Sequence, residues 1–235
     1  MKIKDEVEKD LKNTGDDYVH SVTNAAISSI PVFGSAVSEI FNMVIASPIE
    51  KRKEKWMITI AEELDKLQDK IDNFDVHSLC NNDLFISILN RASQLALSNH
   101  QIEKINALKN AVVNTALNIN IDENEQMMFL TLIDTMTPWH IKIIFYFENP
   151  VSRFAENNLR PKEYAMGAPI LLLHEFYPEL KEREDFVKNI VSDLYNKGIL
   201  SINDLNCSMS SSGMYSSRLT EYGNKFLKFI TLEKE

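Results

Sequence analysis

Apolar residues recur every three or four positions along most of this 235-residue chain, and this spacing is typical of amphipathic α-helices. The clearest stripe consists of Trp56, Ile60, Leu64, Leu67, Ile71 and Phe74. Charged residues such as Asp65 fall on the other side of the same helix and are expected to face water. Packing of the stripe inside the chain is the favoured interpretation, and contact with a second copy is the alternative.

Start signals divide this pattern into separate helices. Ser47-Pro48 opens the long helix, Asp122 to Glu125 forms a capping box, and Thr137-Pro138 opens a helix that is apolar on nearly every side. The inner face of the helix from about 101 to 118 is marked by Ile102, Ile105, Leu108, Val112 and Thr115. Later in the chain, short helices are separated by Pro161, Pro169 and Pro178.

The last part of the chain adds a short β-hairpin. Gly198 ends a helix over 185–197, and Thr220 caps the final helix. Between them, 199–202 and 215–219 are predicted strands that flank a polar stretch. The fold class is therefore mainly α, with an N-terminal helical bundle over 1–121 and a second domain over 122–235.

The second domain resembles a winged-helix domain. The similarity is carried by Leu194-Tyr-Asn-Lys-Gly198-Ile-Leu200, by Arg218-Leu-Thr-Glu-Tyr-Gly223, and by Thr137-Pro138 at the first helix. In a DNA-binding member, the helix before Gly198 would enter the major groove, so the candidate nucleic-acid contacts are Lys188, Asn189, Lys197 and Arg218. Acidic residues on the same helix favour a protein-binding use of the domain over DNA binding.

The whole chain also looks like an uncharacterised family of bacterial helical proteins and, more remotely, like the abortive-infection alpha family. The matching segments are Ile30-Pro-Val-Phe-Gly34, Glu50-Lys-Arg-Lys-Glu-Lys-Trp56, and Phe129-Leu followed by Ile133-Asp and Thr137-Pro138. The resemblance implies a role in phage defence. It provides no catalytic residues to carry over.

An apolar segment over 18–49 is the unusual feature of the N-terminal part. From Tyr18 to Ser38 it holds no Asp, Glu, Lys or Arg, but Pro31 and Gly34 interrupt it, so two short core helices are the favoured interpretation. A membrane-active segment is the alternative, since apolar residues precede cations and a tryptophan. Its candidate residues are Ile30, Phe33, Ile40, Phe41, Val44, Ile45, Lys51, Arg52, Lys53 and Trp56.

Motifs for nucleotide, metal and catalytic chemistry are not recognisable. The six glycines are too far apart for a phosphate-binding loop, and Cys80 and Cys207 cannot form a four-cysteine zinc site. The pair His174-Glu175 begins like a zinc-protease helix, but Pro178 stands where the second histidine belongs. His140, near Asp134, is interpreted as a capping or surface histidine. We therefore expect no catalytic residues, no metal, no cofactor and no small-molecule substrate.

Charge completes the functional hypothesis. A formal net charge of −9 opposes nonspecific binding to nucleic acid, so a nucleic-acid partner ranks below a protein partner or a homo-oligomer. The N-terminus lacks the features of a signal peptide, so we expect a cytoplasmic location, with the inner membrane face as the alternative. The favoured hypothesis is a non-enzymatic bacterial protein-interaction protein in phage defence or stress response. A membrane-active protein and a DNA-binding transcriptional regulator are the alternatives.

Overall fold

The computed structural model describes residues 4–5, 47–72 and 74–232, which are mainly helical with one small antiparallel sheet. The described residues up to Leu130 form one compact unit, and those from Thr131 onward form a second. The apolar segment 18–49 lies outside the described residues except for its last three positions. The two short helices predicted there therefore stay a prediction.

The first unit is built around three long helices. These are α1 (Ser47–Lys70), α2 (Asp83–Ser98) and α3 (Ile102–Ala116), with a 3-10 helix, Val76–Asn81, before α2. Helix α4 (Glu123–Thr135) begins in this unit. Helix α2 packs against α3, and α1 packs against both. Apolar side chains from all three helices form the core, among them Trp56, Ile60, Leu64, Phe85, Ile88, Leu95, Leu108 and Val112.

The stripe on α1 is confirmed over its first half only. Trp56, Ile60 and Leu64 are buried, and the Trp56 indole donates to Ser93 Oγ at 2.8 Å. The helix ends at Lys70, so Ile71 lies beyond it and is 39% exposed. The predicted exposure of Asp65 is wrong, because its carboxylate accepts the backbone N–H of Lys4 at 3.1 Å and is buried.

Helix α3 differs from its predicted inner face at one end. Ile102 is 59% exposed, whereas Leu108 and Val112 are fully buried. Ile102 stands at the first position of the helix. The periodic pattern therefore holds for the body of α3 and fails at its first turn.

The second unit consists of shorter helices. These are α5 (Pro138–Glu148), α6 (Pro150–Glu156), α7 (Pro169–Phe176), α8 (Glu184–Asn196), α9 (Ser211–Met214) and α10 (Glu221–Ile230), with a 3-10 helix at Pro178–Leu180. Helix α5 is central, because it packs against α6, α8 and α10. Strand β1 (Met166–Gly167) pairs antiparallel with β2 (Met209–Ser210).

Proline starts many of these short helices, and the sequence predicts such a start at Pro138. Pro138, Pro150 and Pro169 each occupy the first turn, where their missing N–H costs nothing. Asn149 caps α6, because its side-chain oxygen accepts the N–H of Ser152 at 3.1 Å. The starts of these three helices therefore follow from local chemistry.

The predicted strands 199–202 and 215–219 are wrong as continuous strands. They pair only through a single bridge between Leu200 and Leu219. One reason is that the backbone N–H of Arg218 donates to Phe147 O at 2.9 Å, which removes it from the ladder. Another is that Ser210 Oγ accepts the N–H of Gly213 and starts the short helix α9 instead of a turn.

The junction before α10 is close-packed around Thr220. Its hydroxyl donates to Gly198 O at 2.5 Å and accepts the N–H of Gly223 at 2.9 Å, which confirms the predicted cap. Gly198 has φ +72°, as expected for a residue that ends a helix. A Cβ on Gly223 would lie 2.3 Å from Ile199 O, so α10 can approach this backbone only through a glycine.

Candidate functional site

Helix α8 carries the candidate contacts that the sequence predicts for the second unit. Its inner side is apolar and buried, through Val187, Ile190, Val191 and Leu194. Its outward side, here called the α8 face, consists of Glu184, Asp185, Lys188, Asn189, Tyr195 and Asn196, all of them exposed. Two acidic residues stand against one basic residue. The face is therefore polar with a formal charge of −1, and it has an aromatic ring at one end.

A polar network fixes α8 to α5. Asp193 accepts from Lys197 Nζ through Oδ1 at 2.5 Å and faces His140 Nε2 through Oδ2 at 3.1 Å. The carboxylate partner of His140 is therefore Asp193, 53 positions away, and not the sequence neighbour Asp134. Because His140 lies on α5 and Asp193 on α8, their contact joins the two helices.

His140 also caps its own helix. The backbone N–H of Thr137 donates to His140 Nδ1 at 3.1 Å, and the Thr137 hydroxyl lies 2.8 Å from the same nitrogen. The predicted capping role is confirmed. Burial lowers the pKa of His140 below its usual value, Asp193 opposes that shift, and Lys197 adds to it. A proton on Nδ1 would also face the Thr137 N–H, so the geometry favours the neutral imidazole.

Two of the four candidate nucleic-acid contacts are engaged within the chain. Lys197 is paired with Asp193, as described. The Arg218 guanidinium donates to Gly213 O and lies 2.9 Å from Met209 Sδ. Lys188 and Asn189, in contrast, are exposed on the α8 face. Lys188 and Asn189 thus stay exposed, whereas the cations of Lys197 and Arg218 are held against their own chain.

A shallow pocket, here called the α8 pocket, lies beside the first turns of α8. Its floor is apolar and is formed by Ile170, Val187, Val191 and Leu205. Its rim is polar and is formed by Glu184, Lys188, Asn203, Asp204 and Asn206. The cavity volume is about 20 Å³, room for one water molecule or one methyl group. The backbone N–H of Ile170 donates to Leu205 O at 3.1 Å, which ties two sides of the floor together.

The candidate membrane residues fall into two groups. Ile30, Phe33, Ile40, Phe41, Val44 and Ile45 lie outside the described residues. Among the others, Lys51 and Arg52 are exposed and Lys53 is half-buried, whereas Trp56 is 5% exposed in the core of the first unit. Among the helices that the structure describes, none combines the length and apolar composition that crossing a bilayer requires.

The contacts of Glu175 were not predicted from the sequence. Glu175, of the His174-Glu175 pair, accepts from Tyr164 Oη at 2.5 Å and from the backbone N–H of Lys162 at 2.8 Å. It therefore anchors the connection between α6 and β1.

The described residues contain no group of three or more His, Cys, Asp or Glu side chains that could hold a metal ion. The i, i+4 spacing of Asp193 and Lys197 was the one local signal available for the α8 network.

The resemblances drawn from the sequence were to a winged-helix domain and to bacterial defence proteins. The chain matches no protein-family model, no curated protein and no solved structure.

Proposed function

We propose that this chain is a non-enzymatic, protein-binding protein and that the α8 face is its binding surface. The second unit is proposed to be winged-helix-like. The features that support this are α8 ending at Gly198, the bridge from Leu200 to Leu219, and α10 capped by Thr220. In such an arrangement α8 is the helix that meets a partner.

The observation that carries the proposal is the engagement of Lys197 and Arg218. A phosphate-binding surface needs cations that can leave water for phosphate, and both of these would first have to break contacts with Asp193 or Gly213. Tyr195 is 44% exposed on the same helix. A partly exposed tyrosine buries a large area at low entropic cost and is enriched in protein interfaces. These features favour a protein partner.

DNA binding is the second candidate, because Lys188 and Asn189 are exposed side by side. Asparagine can bond bidentately to adenine, and lysine can contact a phosphate. If the α8 face reads DNA, duplex binding falls steeply with salt and weakens on Lys188→Glu. The matched control is Lys181→Glu, an exposed lysine that lies before α8.

The test of the proposal is site-specific photo-crosslinking in the producing bacterium. A photoreactive side chain is placed at position 195 and, as a control, at position 179, which is exposed outside α8. We expect a protein adduct from position 195 and none from 179. A role in phage defence, which rests on the resemblance, predicts that the adduct changes in amount on phage infection. Salt-sensitive duplex binding without a protein adduct would overturn the proposal in favour of DNA.

A further inference from the structure

The α8 pocket has room for one methyl group of an aliphatic side chain, and its rim suits basic neighbours of that side chain. A water molecule on its floor would meet only apolar side chains there, so a methyl group is the better occupant. Two carboxylates, Glu184 and Asp204, stand on the rim against one ammonium group, that of Lys188. Charge complementarity therefore favours an aliphatic residue followed by lysine or arginine.

The connection between α6 and β1 presents that combination. Leu159 is 42% exposed, and Arg160 and Lys162 next to it are exposed as well. In the described part of the chain, neither the Arg160 guanidinium nor the Lys162 ammonium forms an ion pair with a carboxylate. Glu163, which follows Lys162, is exposed too, so the segment 159–163 holds two cations against one carboxylate. An exposed leucine in a net-basic segment complements an apolar pocket with an acidic rim.

This connection is held in place at both ends. The backbone N–H of Leu159 donates to Phe154 O at 2.9 Å, and that of Lys162 donates to Glu175 at 2.8 Å. The segment is therefore ordered before it binds, so binding costs less conformational entropy. Leu159 does not line the pocket of its own chain. A second copy can supply it.

We propose that this chain forms a two-fold dimer in which one methyl group of Leu159 of each copy enters the α8 pocket of the other. Arg160 then lies near Glu184 across the interface, and Lys162 lies near Asp204. A two-fold axis makes the contact reciprocal, so each dimer contains it twice. The inference rests on the proposed function in one respect, since it takes α8 as a protein-binding element and names a second copy as a partner.

The test is the oligomeric state of the full chain by sedimentation equilibrium over a range of concentrations. We expect a concentration-dependent dimer that Leu159→Asp weakens roughly tenfold or more, because two buried methyl groups are lost per dimer. The matched control is Val151→Asp, an aliphatic residue of the same unit that is 56% exposed. It should leave the dimer unchanged, and circular dichroism should show that both variants are folded.

Charge reversal tests the assigned pairing. Arg160→Glu and Glu184→Arg are each expected to weaken the dimer about fivefold, and the two changes together should restore it. A wild-type chain that stays monomeric, a dimer equally sensitive to Leu159→Asp and Val151→Asp, or a charge-swapped pair without rescue would overturn the inference. A monomer that still crosslinks another protein from position 195 would leave the proposed function intact. A rescued dimer without that adduct would uphold the inference alone.

Discussion

The two units of this chain are stabilised in different ways. In the first unit, helices of 24, 16 and 15 residues bury apolar stripes against one another. In the second, α6 and α7 have only 7 and 8 residues. Each helix end leaves about four backbone groups without a partner in the helix, so short helices leave a larger share of their backbone to be satisfied by other groups. The second unit therefore depends more on single polar contacts.

Arg153 shows what such a contact does. Its guanidinium bonds to Glu148 at the end of α5, to Glu156 at 2.8 Å, and through Nε to Phe145 O at 2.9 Å. One side chain thus ties the end of α5 to α6. The first unit has comparable pairs, such as Glu63 with Lys109 at 3.3 Å, but its three helices are already joined by their apolar faces. The second unit also has an apolar core, which includes Tyr146, Phe147, Phe226 and Phe229, and single polar contacts of this kind add to it.

The largest effect is expected from emptying the core of the first unit. Ile88 is fully buried on α2, so Ile88→Ala should lower the free energy of unfolding by about 3 kcal/mol, through lost burial and a residual cavity. Ile86, on the same helix, is 45% exposed, and Ile86→Ala should change stability by no more than about 0.5 kcal/mol. Urea denaturation of the full chain measures both. Equal losses would contradict the area-based account of this unit.

The second unit should instead be sensitive to a single added methyl group. Gly223→Ala places Cβ against Ile199 O, and we expect a loss of about 2 kcal/mol or more. Gly198→Ala is the matched comparison, because its Cβ would meet nothing closer than 3.9 Å and only the φ of +72° is unfavourable. Its cost should be about 1 kcal/mol. Urea midpoints in the reverse order would show that backbone strain, not close approach, limits this junction.

The sequence predicted what local chemistry controls. Periodicity placed the main helices, and caps and prolines placed most of their starts, because both signals lie within one helix turn. The features it missed join distant positions. Asp65 is buried by the N–H of Lys4, 61 residues away, and α10 meets the backbone of Ile199 through Gly223. Nothing in the spacing of residues indicates such approaches.

The same distinction between local and long-range features applies to the candidate site. The exposure of Lys188 and Asn189 follows from the helix period of α8 and is observed. The state of Arg218 depends on where Gly213 and Met209 lie after folding, so its sequence position could not show that its guanidinium is engaged. The predicted strands failed for a related reason, since the partner of the Arg218 N–H is Phe147, on another helix.

The smallest expected effect is a pH dependence of the stability of the second unit. It tests whether the polar contacts of His140 contribute measurably to that stability. Because the folded state lowers the pKa of His140 below the ordinary 6.5, the unfolded chain takes up a proton first as pH falls. Stability should therefore be complete above pH 6.5 and decrease as pH falls from 6.5 toward the folded-state pKa. The urea midpoint, measured from pH 8 down to pH 5, should show this decrease, and His140→Gln should make it shallower. At pH 8 the change in stability of the same variant measures only the loss of its hydrogen bonds. Comparison with the values at lower pH therefore separates that loss from the effect of proton uptake. An unchanged slope in His140→Gln would mean that the interaction with Asp193 fully offsets the effect of burial on the pKa of His140, so that this residue adds no pH dependence to stability.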